Sequence, residues 1–202
     1  MVDMAQALSL EHTIRRVRRL QVITIVWMSV EAALSLWLAW RARSPALLAF
    51  GGDSLIELLS AIVVVWRFAA GEQQEERASR IMAVLLFALA AAVAIASALT
   101  LSGRNEPRPT RFGIAILIAA ALGMPWLAKQ KRSLAYMTGS TALRADATES
   151  AMCGYLSLIA LAGLTLNAIW QVSWADPVAA LCLVPFVLRE GWEATRGIDD
   201  GA

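Results

Sequence analysis

Charge is scarce in this 202-residue chain: 17% of its residues are charged, against 58% hydrophobic. A water-soluble domain carries about 25% charged and about 45–50% apolar residues. The shortfall excludes a single soluble globule, because a chain of this length cannot bury so much apolar surface in one core. It makes a bilayer the natural solvent. Histidine is nearly absent; His12 is the one example, and it precedes the first apolar run. The two cysteines, Cys153 and Cys182, both lie in apolar stretches, which argues against a disulfide framework. A net charge of +2, with basic residues in short clusters, gives no sign of nucleic-acid binding. The Arg-rich opening residues lead into no short apolar core with a small-residue cleavage site, so no cleavable leader is expected.

Long apolar runs are what the chain does have. A membrane helix needs about 20 apolar residues, and six segments qualify: Leu20–Trp40, Ala46–Ala70, Ile81–Leu101, Phe112–Ala128, Thr148–Ile169 and Ser173–Leu188. The last is short and holds Asp176 and Pro185. The reading is an all-α membrane protein of six transmembrane helices. Residues 1–19 form a cytoplasmic N-terminal segment, 20–196 the six-helix transmembrane domain and 197–202 a short tail, leaving no soluble C-terminal domain in the expectation. Gly71–Arg80 reads as a charged turn and Lys129–Ala145 as the longest connection, with a break at Gly139-Ser140.

Lys and Arg favour cytoplasmic loops. Arg15, Arg16, Arg18 and Arg19 precede span one, and Arg67, Arg77 and Arg80 surround the connection between spans two and three. Lys129, Lys131, Arg132 and Arg144 lie between spans four and five, and Arg189 and Arg196 follow span six. The opposite side holds only Arg41, Arg43, Arg104, Arg108 and Arg111. Both termini therefore belong in the cytoplasm, and the expected location is the inner or plasma membrane.

A self-match joins the halves of the chain. Ser44-Pro-Ala46-Leu47-Leu-Ala49-Phe-Gly-Gly-Asp53-Ser54 aligns with Ser140-Thr-Ala142-Leu143-Arg-Ala145-Asp-Ala-Thr-Glu149-Ser150. Asp53 faces Glu149 in this register, and Glu57 faces Cys153. Three spans per half make the repeat inverted, a transporter architecture with its site where the halves meet.

Asp53 and Glu57 are four residues apart and share one helix face, as do Glu149 and Cys153. At ~1.5 Å per residue from the cytoplasmic span ends, Glu57 and Cys153 both lie ~13 Å deep, Asp53 ~20 Å and Glu149 ~7 Å. An ionised carboxylate at that depth costs about 2.5–3.5 kcal/mol or more, and no Lys or Arg shares those faces. Either protons or a cation must neutralise the acids. Four donors, two per helix, suit a tetrahedral divalent ion such as zinc, and the thiolate favours a borderline-soft metal over magnesium or calcium. Metal must displace protons from the same oxygens, which gives a basis for metal–proton exchange.

Other acids carry several readings. Glu31 lies inside span one as a fifth ligand, a proton-relay group or a structural hydrogen-bonder. Asp146 either supports Glu149 or serves as a helix N-terminal acid favoured by the dipole. Ser54 and Ser150 either orient ligands or allow close packing. Asp176-Pro177 reads as the start of its own helix, and Cys182 as an apolar filler.

The Asp53-x-x-x-Glu57 pair, the Ala145-Asp146-Ala147-Thr148-Glu149-Ser150 run and Ala175-Asp176-Pro177 resemble the cation diffusion facilitator family from about Arg19 to Arg196. The resemblance implies six helices, a homodimer, and export of zinc or a similar ion in exchange for protons, with no enzymatic chemistry and no resident cofactor. It places the transport site at Asp53 and Glu57 on span two and Glu149 and Cys153 on span five. The chain departs from the family in Glu149, where a histidine is usual, and in Cys153, where an aspartate is usual. A membrane metal sensor of the same fold, or a proton-coupled carrier of organic cations, is the competing reading.

Overall fold

The computed structural model describes the backbone of residues 2–70, 75–108, 110–139 and 141–199, and most side chains from Arg15 onward except in stretches 60–70 and 75–79. It consists of six helices among the described residues: α1 Val2–Ala42, α2 Pro45–Ala70, α3 Glu75–Leu101, α4 Arg111–Thr138, α5 Thr141–Trp170 and α6 Ala175–Asp199. Among the described residues, four stretches are long and apolar enough to cross a membrane: Arg15–Ala42, Arg80–Leu101, Arg111–Met137 and Asp146–Trp170. Helices α2 and α6 both carry acids and sit inside the bundle: α2 packs on α1, α3, α5 and α6, while α6 packs on α2, α3 and α5.

Every helix outlasts its apolar run. Helix α1 continues the first span back through the segment set apart as 1–19. The larger correction concerns α4, which runs on to Thr138 through most of the Lys129–Ala145 stretch read as a connection. The reason is a continuous buried stripe of Met124, Leu127, Ala128, Lys131, Leu134 and Ala135, spaced three and four residues apart as one helix face requires. Lysine interrupts the hydropathy there without leaving the stripe. The expected break does fall at Gly139, which ends α4 in the left-handed conformation at φ 66, a backbone state that glycine adopts without strain.

Asp176 does not simply start its own helix. It lies in the first turn of α6 and is buried. Its carboxylate accepts from Ser44 Oγ at 2.5 Å and from the Ala46 amide at 3.0 Å, and Ser44 Oγ in turn accepts from the Leu47 amide at 3.1 Å. Asp176 thus caps α2 from across the bundle and fixes the N-terminal end of the helix that carries Asp53. Asp176→Ala removes a charge-assisted pair of bonds, each of which contributes about 1.5–3 kcal/mol. Denaturation in detergent should show a loss of at least about 3 kcal/mol, and an unchanged midpoint would dismiss the cap.

Two adjacent glycines bring the neighbouring helices close to α2 just before that acid. A Cβ on Gly51 would stand 2.8 Å from Ser35 Cβ of α1, and one on Gly52 would overlap Leu89 of α3. Asp53 therefore projects from a section of α2 held on both sides.

Candidate metal site

Glu31 is the meeting point of three helices. It is wholly buried on α1. Its carboxylate accepts from Trp27 Nε1 at 2.6 Å, from Ser54 Oγ of α2 at 2.8 Å and from the Cys153 thiol of α5 at 3.5 Å. The open readings of Glu31 thereby narrow to a group in direct contact with one proposed ligand and with the serine beside another. Cys153 is buried at 2% exposure, and Glu31, Glu57 and Asp53 are the charges acting on it. Asp53 is buried at 7% exposure and meets Glu190 of α6 within hydrogen-bonding reach, with Glu57 and Glu31 also acting on it. Glu57 is half-buried one turn further along α2.

Glu149 is linked to these acids through Glu57 and Glu190 and does not act on Asp53 or Cys153. It is exposed, and the charges acting on it are Asp146 and Lys131; its own field reaches Glu57. The structure thus puts Cys153 in contact with Glu31 and Asp53 within reach of Glu190, and leaves Glu149 exposed in the first half of α5. Among the described residues, no three His, Cys, Asp or Glu side chains converge at ligating distance.

Lys131 and Glu190 did not figure among the sequence candidates. Lys131 has no exposed surface. Its ammonium donates to Asp146 Oδ1 at 2.8 Å and to Ser150 Oγ at 2.9 Å, and its charge reaches Glu57 and Glu149. A cation absent from the faces of α2 and α5 is therefore supplied by α4. Asp146 also accepts from Gln21 Nε2 at 2.7 Å, so it joins α1, α4 and α5 in a structural ion pair. The signal for Lys131 was its place on the apolar stripe of α4. Glu190 follows Arg189 in a polar stretch and carried no such signal.

The two serines play matching parts. Ser54 Oγ bonds back to the Phe50 carbonyl at 3.0 Å while holding Glu31. Ser150 Oγ bonds back to the Asp146 carbonyl at 3.1 Å while holding Lys131. Each therefore fixes a charged side chain arriving from the helix that precedes its own.

The transmembrane domain model of cation efflux proteins matches residues 20–196. The chain belongs to the cation efflux family. No curated protein matches it closely enough to count as a relative. Cation efflux proteins are transporters of metal cations, and this one is accordingly a multi-pass membrane protein whose general task is to move such ions. The match reaches from the first apolar run of α1 to the end of α6, so the acids of α2, the thiol of α5 and Glu190 all fall within the cation efflux domain.

Proposed function

We propose that this cation efflux protein exports a divalent transition-metal ion, zinc foremost, in exchange for protons. The transport site is built on Asp53, Glu57 and Cys153, and Glu149 receives the ion on its way to them. One observation carries the reading: a thiol and several carboxylates from three helices share one buried region, Cys153 touching Glu31 and Asp53 lying in the same field. A dehydrated divalent ion is the ligand that neutralises such a set, and the thiolate selects against hard ions. Termini in the cytoplasm and a homodimer complete the proposal, the first resting on the distribution of basic residues. An inverted repeat is supported by recurring partnerships: α1 packs on α2 as α4 does on α5, and α2 packs on α3 as α5 does on α6.

The test is ion flux in proteoliposomes that hold an imposed pH gradient. Zinc entry should collapse the gradient, because each bound metal must release protons from its ligands. Saturable zinc binding without flux favours a sensor, and flux that leaves the gradient intact rejects proton exchange. Cys153→Ser replaces a soft donor by a hard one. It should lower cadmium transport relative to zinc by about tenfold or more on the softness argument, as read from paired uptake assays. An unchanged cadmium-to-zinc ratio would remove Cys153 from the ligand set.

A further inference from the structure

The outer face of the α4–α5 pair carries a groove of about 560 Å³ that serves neither the bundle core nor the proposed ion path. Its wall is Pro125, Ala151, Gly154 and Leu158. Gly154 lies flat on the proline ring: a Cβ there would stand 2.9 Å from Pro125 Cδ. The pair leaves a smooth, side-chain-poor channel along the helices. At its rim are Lys129 and Arg132, both exposed and neither ion-paired among the described residues. The exposed Tyr155 also lines the groove.

Height along the helix gives these cations their meaning. At ~1.5 Å per residue, Lys129 lies ~26 Å and Arg132 ~30 Å along α4 from Phe112, and the hydrocarbon layer is ~30 Å thick. The two cations therefore sit where lipid phosphates lie, and the apolar channel runs from them towards the bilayer centre. Basic pockets between membrane helices suit anionic head groups.

We infer that this groove is a binding site for an anionic phospholipid, with the phosphate held by Lys129 and Arg132 and one acyl chain lying over Pro125 and Gly154. The site is independent of which ion is carried. The lipid supports the back of α5 at the turn that holds Glu149 and Cys153.

Native mass spectrometry of the full chain from mixed micelles of phosphatidylglycerol and phosphatidylcholine tests this. Wild type should retain phosphatidylglycerol at least about fivefold over phosphatidylcholine, since each Lys or Arg near an anionic surface contributes about 1 kcal/mol. Lys129→Gln/Arg132→Gln should bring the ratio to parity. Arg104→Gln/Arg111→Gln, which removes two exposed cations at the other end of the bundle, should leave the preference intact. Equal retention of the two lipids by wild type overturns the proposal, as does a preference that survives in the first variant or is lost in the second. Displacement of the lipid by inorganic phosphate would mark a free-anion site instead. A dimer that forms without lipid and dissociates only in the first variant would make the groove a contact with a second copy.

Discussion

Asp53→Asn should reduce zinc flux in proteoliposomes by at least about 100-fold, since even residues that only support metal ligands cost about 10–100-fold when changed. The substitution keeps the shape of the side chain and removes only its charge. Asp53 is 7% exposed and lies among Glu190, Glu57 and Glu31, so in the empty protein, where the proposal keeps protons on these acids, a neutral amide of the same shape fits the site as well. Thermal stability should stay level or rise while transport fails, a combination that separates a ligand from a packing residue. Glu149→Gln is the comparison. Glu149 is exposed and near Lys131 rather than Asp53, so its loss should slow flux by about tenfold or less, the lower end of that range. Flux within twofold of wild type in Asp53→Asn would rule out Asp53 as the carrier of the ion. Equal losses in both variants would mean that Glu149 moves into the coordination sphere during transport.

Lys131→Met should cost about 3 kcal/mol in stability, near the lower end of the ~3–5 kcal/mol for removing one partner of a buried ion pair. The lysine has no exposed surface, while the Asp146 side chain keeps 26% of its own, and that partial hydration places the estimate low in the range. Gln21 remains bonded to Asp146 in the variant, but a neutral amide does not balance the carboxylate. The double variant Lys131→Met/Asp146→Leu removes both charges and should recover most of the loss, because apolar replacement of a buried pair is often neutral or stabilising. Unfolding midpoints in detergent decide the matter. A single variant as stable as wild type, or a double variant no better than the single, would show that the pair does not hold α4 to α5.

The sequence made the acids of α2 plain because an apolar run with two carboxylates one turn apart has few innocent explanations. It also showed where helices must cross the bilayer, since that depends on the hydropathy of each segment alone. It misplaced the end of α4 because Lys131, Lys129 and Arg132 look alike in one dimension. Only packing distinguishes the first, which is buried against Asp146 and Ser150, from the other two, which face outward. Asp176 showed the same limit. Its position before a proline suits a helix start, but its carboxylate reaches Ser44 and Ala46 of another helix, a choice of partner that no local pattern encodes. Glu190 became visible only when α6 was laid beside α2. Glu149 and Cys153 share a helix face as their spacing requires, yet burial separates them: the thiol turns inward to Glu31 and the carboxylate stays exposed.

The matched serines have one more implication. Ser54 steadies an acid from α1 and Ser150 steadies a base from α4, so the similar frameworks present opposite electrical poles. The Lys131 charge is balanced by Asp146, whereas the Glu31 carboxylate is bonded, among the described residues, only to neutral donors. On the proposal of a divalent ion between α2 and α5, the unbalanced pull lies on the Glu31 flank, and the resting place of the ion would sit off the bundle's middle, towards α1.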